Sequence, residues 1–541
     1  MKPRCASVKS LWVLLLCLNA APSAAAERRK PRLPAGLVIA SIQIETHEVF
    51  DTSAPPENKL LYQVADHIHR QTRDPVIARE LLFAVGDRYD PALIEETERN
   101  LRSLSFIRRA DIAATVNEEG AVDVIVRTYD SWTLQIVASF KRAGGNTNFQ
   151  AGLAESNILG EGKAVSAVYN RTGAAESKSF SYSDPQFLDH KHLQYSMVAI
   201  ESPGSQNYSL SLNRPFFASI APSAFGGTIG FVKTPVQTFT NGSAVGQVSQ
   251  RTASAGINYG VAFATSTERV QRVTFGLLEQ HFDYRPIAYQ GTGPMPDREQ
   301  LGFLQVSGDW QEVDFIKVRR IQKFTHDEDY NLGLEVVPAV WWAPAVPALG
   351  TTQTQLLPSV TATKGFTWSD QLLFLSAAYS SKYVDGGNGN RLAAFNATYY
   401  VRGLRYQTLA FHTALDLGWR LDPASPLTLG EANGLRGYGL SAFTGDRSAL
   451  FNVEDRIYVW DELWRLLDVG AVVFFDSGYA WASSTPVNMV NLRDSVGFGL
   501  RLAPSRSANN GPVRIDMARA LSNNESRSRW SLSILAGQAF N

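Results

Sequence analysis

Side chains capable of covalent or metal chemistry are few here and poorly spaced for it. His67 and His69 are two apart on an expected helix, so they point away from each other and cannot share a metal. His190 and His192 fall near an expected turn, where histidines are usually solvated. The run His326-Asp327-Glu328-Asp329 offers carboxylates to a cation such as Ca²⁺ but lacks the ligand spacing of a calcium loop. No GxSxG, HExxH or phosphate-loop pattern occurs. The two cysteines, Cys5 and Cys17, both precede residue 27. The chain therefore reads as no enzyme, with no cofactor and no metal site. What remains is charge pairing: a guanidinium can hold a carboxylate through two parallel hydrogen bonds. In water such a pair contributes only ~0–1 kcal/mol. Where water is excluded, loss of one partner costs ~3–5 kcal/mol. Strand alternation sets Asp476 on the face opposite the apolar Val473 and Phe475.

The elements that would position these groups begin with an export signal. Lys2, Arg4 and Lys9 precede a short apolar core, Leu11 to Leu18, and small residues ending in Ala24-Ala25-Ala26 suit cleavage before Glu27. Residues 1–26 are read as a signal peptide and 27–36 as a linker. Only 19% of residues are charged, while Gly (41), Phe (28), Tyr (19) and Trp (11) are plentiful. The apolar residues are spread thinly, and no run after Ala26 is long enough to cross a bilayer as a helix. A formal net charge of zero gives no reason to expect nucleic acid.

The chain divides near residue 131. Residues 37–130 read as an α+β unit. Val38 to Glu45 is a strand, and Leu60, Val64 and Ile68 recur on one helix face. Asp90 and Pro91 open a second helix, in which Leu93, Thr97, Leu101 and Leu104 align, and two strands close the unit, Phe106 to Val116 and Val122 to Tyr129. From Trp132 short alternating runs replace this pattern. In the last, Trp530, Leu532, Ile534 and Ala536 alternate with Ser531, Ser533, Leu535 and Gly537. That is the lipid-facing and lumen-facing alternation of a membrane barrel, and lipid requires such a sheet to close on itself. Residues 131–541 would give sixteen strands at about 26 residues each with connections, and twelve to eighteen would also fit. Glycine-rich segments such as Gly386 to Gly389 and Gly291 to Pro294 suit the outer loops.

Several segments together resemble the BamA/TamA-type outer-membrane protein assembly factors (the bacterial surface antigen family). Arg79 to Phe83, Gly86-Asp87, Glu98 to Arg102 and Val126 to Trp132 look like a polypeptide-transport-associated (POTRA) domain. Glu155 to Gly162 and Tyr182 to Phe187 resemble early barrel turns of that family. Leu435-Arg436-Gly437-Tyr438 resembles its signature at the tip of the sixth outer loop. Gly445-Asp446-Arg447, Asn452 to Glu454, Phe474-Phe475-Asp476-Ser477-Gly478, Gly511 to Asp516 and Phe540 complete the ordered set. The chain departs from the family in carrying one POTRA-like unit and in placing Asn541 after the last aromatic residue.

The resemblance implies an α+β POTRA-like periplasmic domain before a sixteen-stranded antiparallel transmembrane β-barrel in the bacterial outer membrane. It implies that the loop folds into the lumen and that Arg436 meets Asp476 on the inner wall, with Glu454 a second contact. Gly437 would then allow a close approach, Tyr438 would pack on the wall, and Gly478 belongs to the strand motif. The seam between a first strand, Trp132 to Phe140, and a last one, Trp530 to Phe540, is the second implied site, where a client strand could be added. The implied function is assembly, insertion or translocation of exported proteins. A two-partner-type secretion pore and a structural or diffusive porin are the alternatives. Implied partners are outer-membrane lipid, unfolded exported polypeptides, and periplasmic chaperones or accessory proteins.

Overall fold

The computed structural model describes residues 33–53, 55–143, 146–172, 175–240, 243–289, 298–346, 351, 353–422, 426–486, 491–507, 511–521 and 530–540. The expected signal peptide, most of the linker and the Gly291 to Pro294 loop lie outside the described residues.

Among the described residues, those from Leu134 onward form a closed sheet of twenty strands, each antiparallel to its neighbours. Alternation explains it. Along Leu467–Trp481, Asp468, Val472, Phe474 and Asp476 are buried on the inner face while Val473 and Phe475 are exposed on the outer. An outer face of that kind suits lipid, and lipid leaves no unpaired backbone edge at low cost, so the sheet meets itself. Twenty strands replace the expected sixteen because connections are shorter than allowed for. Two-residue turns join Gln194–Ser202 to Ser205–Arg214 and Gln371–Val384 to Gly387–Val401. Gly204 and Gly386 adopt the left-handed backbone that such tight turns require. Of the segment expected as an outer loop, Gly387 and Gly389 belong to the strand, and only Gly386 is in the turn.

The N-terminal unit is a three-stranded sheet. Strand β1 (Ile39–His47) runs parallel to β3 (Val122–Asp130), and β2 (Ile107–Val116) pairs antiparallel with the other side of β3. Helices α2 (Asp74–Glu80) and α3 (Pro91–Ser103) cover one face, burying Val76, Ile77, Ile94 and Leu101 against Phe106, Ile112, Val124 and Val126. Asp90 caps α3, its carboxylate accepting from the Ala92 N–H at 2.9 Å. Helix α1 (Leu60–Ile68) behaves differently. Leu60, Val64 and Ile68 do share a face, but it is the exposed one. Tyr62 is the buried residue, packed with Val49 and Phe50 and beside Trp132 and Leu466.

This unit sits against the connections at one end of the barrel. Glu96 accepts from the N–H and Oγ of Ser219, both at 2.6 Å. Arg73 pairs with Glu161 at 2.8 Å. A folded insert, residues 313–334, reaches from the barrel to meet it: Phe315–Val318 pairs with Glu328–Asn331. Arg102 of α3 grips Asp329 of the insert through two hydrogen bonds, 2.9 and 2.7 Å. The acidic run thus serves as an anchor, since Glu328 also accepts from the N–H groups of Ile321 and Gln322 at 2.9 Å. His192, expected at the surface, is buried, stacked on Phe217 with centroids 3.9 Å apart and 3.4 Å from Glu80. The turn carrying it folds against α2 instead of projecting into solvent.

His69 is buried against Asp130, Nε2 to Oδ2 2.9 Å, and Asp130 also accepts from the Thr72 N–H at 2.7 Å. Burial alone pushes the imidazole down, but Asp130 through its hydrogen bond and charge, then Glu48 and Asp66, carry it above the ordinary histidine value. A raised folded-state value means the stabilisation is full below the ordinary value, ~6.5, and is lost as pH rises through the folded one. Protease resistance of the 48–73 segment in the intact protein is therefore expected to be full below about pH 6.5 and to fall as pH rises above it. His69→Gln should flatten that dependence, and an unchanged profile in the variant would refute the assignment.

Candidate functional site: a tethered loop beside a short seam

The loop of residues 420–446 joins strands Gln407–Trp419 and Arg447–Leu463. Its base is a ribbon in which Leu427–Leu429 pairs with Phe443–Gly445. Beyond the ribbon the chain turns back on itself at Gly434 (φ 101°) and Gly437 (φ 88°), both left-handed, as glycine permits. A Cβ on Gly437 would stand 3.1 Å from the Ala520 backbone nitrogen, so the tip lies directly on the barrel wall. Apolar packing holds it there: Leu435 and Tyr438 are buried with Leu429, Phe443, Leu450, Ala480 and Ala520. The Tyr438 hydroxyl donates to the Asp494 carbonyl at 2.8 Å, and the Gly437 N–H to Glu431 at 2.9 Å.

Arg436 is 2% exposed. Its Nε and Nη2 donate to the two oxygens of Asp476, each at 2.7 Å, and Nη1 donates to Glu454 at 2.7 Å. Asp516 is 3.5 Å from Nη1, and the guanidinium lies 3.4 Å from the centroid of the Phe474 ring. Phe474, Asp476 and Gly478 come from one face of one strand. Gly478 has to be small: a Cβ there would meet the Ala449 carbonyl at 2.8 Å and Leu429 of the loop ribbon at 2.9 Å. The carboxylates have further partners. Arg456 donates to Glu454 at 2.9 Å, Arg501 to Asp516 at 2.6 Å, and Asn452 to Asp476 at 2.7 Å. Three guanidiniums and three carboxylates thus neutralise one another out of water. Such a cluster stands because each of its carboxylates accepts from at least one guanidinium.

Leu435, Arg436, Gly437, Tyr438, Glu454, Asp476 and Gly478 are therefore brought together by the fold. Arg456, Arg501 and Asp516 join them without having been singled out. The available signal was parity: Arg456 is two residues from Glu454, and Asp516 shares the inner face of its strand with Ala518 and Ala520.

The four seam residues fare differently. The first barrel strand is Leu134–Ala143 and the last is Ser531–Ala536. Among the described residues they pair at three positions, Phe140, Lys141 and Arg142 with Ile534, Ser533 and Leu532. Strands 407–419 and 447–463 pair at eleven. Phe140 thus lies on the seam, and Trp530 stands just before the last strand, with Arg519 5.9 Å from its ring centroid. Trp132 is not in the first strand: its N–H donates to the Arg506 carbonyl at 2.5 Å, and its ring packs with the Tyr62 cluster. Phe540 is not in the last strand either. Gly537, left-handed at φ 83°, turns the chain inward, and Phe540 stacks on His412 (5.1 Å) and beneath Arg456 (5.0 Å) in the lumen. Because the strand stops at Ala536, the Leu134–Ala138 stretch pairs only with its other neighbour, Asn146–Ile158.

Arg436→Ala leaves Asp476 without a guanidinium and takes one of Glu454's, and is expected to destabilise the loop by ~3–5 kcal/mol. The readouts are a lower temperature for the barrel's folded-to-unfolded gel-mobility shift and new proteolysis within residues 430–440. Arg436→Lys should recover only part, because an ammonium cannot fork onto a carboxylate. Wild-type behaviour in the alanine variant would show that the tether carries no load.

No protein-family model matches this chain, and no curated relative does. Among solved structures, BamA from Haemophilus ducreyi lacking POTRA domains 1–3 aligns over 93% of this chain and 85% of its own, at 13% identity and a TM-score of 0.37. CdiB from Escherichia coli aligns over 96% and 93%, at 11% identity and a TM-score of 0.45. The FrpB iron transporter from Neisseria meningitidis aligns over 80% and 87%, at 8% identity and a TM-score of 0.41. What this chain does has to be argued from its own residues.

Proposed function

We propose that this chain works in the bacterial outer membrane in the assembly, insertion or translocation of exported proteins, with residues 37–130 as a POTRA-like unit on the periplasmic side. The observation that carries the reading is the seam. Among the described residues three paired positions close the barrel, and beside them Leu134–Ala138 offers backbone N–H and C=O groups without a second strand. Such an edge is a template on which an extended client can add a strand. Among the described residues β2 likewise has no partner on its outer side, which suits capture of an exported chain before it reaches the barrel. The clients are unfolded exported polypeptides, and no nucleotide is required, since a client's own folding in lipid supplies the driving force.

A diffusive porin is disfavoured by what fills the lumen. The loop tip, the insert and the tail all enter it: the Ile321 carbonyl of the insert accepts from Arg456 at 2.5 Å, and Gln322 reaches the Phe540 carbonyl at 3.2 Å. Depletion of the protein followed by an outer-membrane proteome separates the readings. Loss of many barrel proteins supports assembly, loss of one exported protein a dedicated secretion pore, and loss of none neither.

A seam lock tests the mechanism more directly. Lys141 and Ser533 are opposed in the ladder, and the only native cysteines precede residue 27. Lys141→Cys with Ser533→Cys is expected to stop client assembly when oxidised and to restore it on reduction. Full activity of the oxidised, crosslinked protein would refute a strand-addition seam.

A further inference from the structure

Helix α1 presents an apolar face that nothing among the described residues covers. Leu60, Leu61, Val64 and Ile68 are 74%, 62%, 48% and 60% exposed, although they lie within one arc of about 100° on the helix. Gln63 and His67 occupy the flank of that arc, and Lys59 and Arg70 stand exposed at the two ends of the helix. An apolar stripe edged by polar residues and bracketed by cations has the composition of a helix lying in a bilayer interface.

The position of the helix fits that composition. At its start the Tyr62 hydroxyl donates to the Trp464 carbonyl at 2.7 Å, in a barrel connection where Trp464 is itself exposed. At its end Ile68 and His69 share a crevice with Trp132, Leu134 and Leu159. Leu134 and Ile136 point outward from the first barrel strand, on the face that meets lipid, and Leu159 is exposed beside them. The helix therefore starts against a barrel connection, and the Ile68 end of the stripe meets outward-facing Leu134 at the foot of the seam. Aromatic residues such as Trp464 are favoured at that level of a membrane.

We infer that α1 is a membrane-interface anchor: its apolar face lies among phospholipid acyl chains of the periplasmic leaflet, with Lys59 and Arg70 at headgroup phosphates. The helix thereby fixes the N-terminal unit beneath the seam. The inference stands apart from the assembly reading, because it concerns lipid contact and needs no client.

Single cysteines at Leu61, Val64 and Gln63, spin-labelled in a Cys5→Ser, Cys17→Ser background of the full-length protein in phosphatidylethanolamine and phosphatidylglycerol vesicles, test it. These side chains are exposed, so labels there should leave the barrel's heat-dependent gel mobility unchanged. Labels replacing Leu61 and Val64 are expected to collide several-fold more with oxygen than with a water-soluble nickel chelate, and the label replacing Gln63 to show the reverse. Leu61→Asp combined with Val64→Asp should abolish the oxygen preference of a label replacing Ile68. Equal nickel access at all three positions would overturn the inference. So would dipolar broadening between labels on neighbouring molecules, which would mean that a second copy covers the stripe.

Discussion

The fold of the outer loop, the state of the lumen and the stiffness of one side of the barrel all depend on the burial of a single guanidinium. Arg436 gives up water and regains every interaction from protein: a forked contact with Asp476, a hydrogen bond to Glu454 and the face of Phe474. A buried ion is tolerable only when this replacement is nearly complete. That condition explains much of the local sequence. Gly437 and Gly478 keep Cβ atoms out of the interface, Leu435 and Tyr438 seal it, and Asn452 donates to a remaining carboxylate lone pair.

The cluster is tied into the rest of the lumen and not to the loop alone. Arg456 links the cluster to the insert below, through the Ile321 carbonyl, and that insert is gripped by Arg102 of the N-terminal unit. A chain of hydrogen-bonded charges therefore runs from α3 to the loop tip without a break larger than one element. Phe540 enters the same space, against His412 and Arg456.

Much of this was legible in the sequence where local pattern and long-range structure agree. Alternation identified the strands, and it placed Asp476 on the inner wall because Val473 and Phe475 leave no other choice. Asp90 and Pro91 marked the start of α3. The strand number was not legible, since it depends on how tightly each turn closes, and a Pro203-Gly204 turn reads no differently from part of a longer loop. Helix α1 misleads for a related reason. Periodicity reports that Leu60, Val64 and Ile68 share a face, but the same signal arises whether that face meets a protein core or something outside the chain. Phe540 looked like the end of a strand because nothing in Gly537 says whether its freedom will be used for a turn. The cluster partners Arg456, Arg501 and Asp516 come from three strands, and only the closed sheet makes them neighbours.

The same closed sheet explains why flexibility can be confined to one place. Glu454, Asp476, Arg501 and Asp516 sit on four consecutive strands, and the ion network crosses all four. The last strand, Ser531–Ala536, lies just beyond that cross-linked block, and its far edge meets the first strand at three positions. Each backbone hydrogen bond contributes about 0.5–1.5 kcal/mol net, so parting this ladder costs a fraction of what an eleven-position ladder would. Opening the barrel anywhere between residues 447 and 520 would also strand buried charges, at several kcal/mol each. The strand addition proposed above would need one weak joint next to a rigid block, and the placement of Arg436 supplies the block.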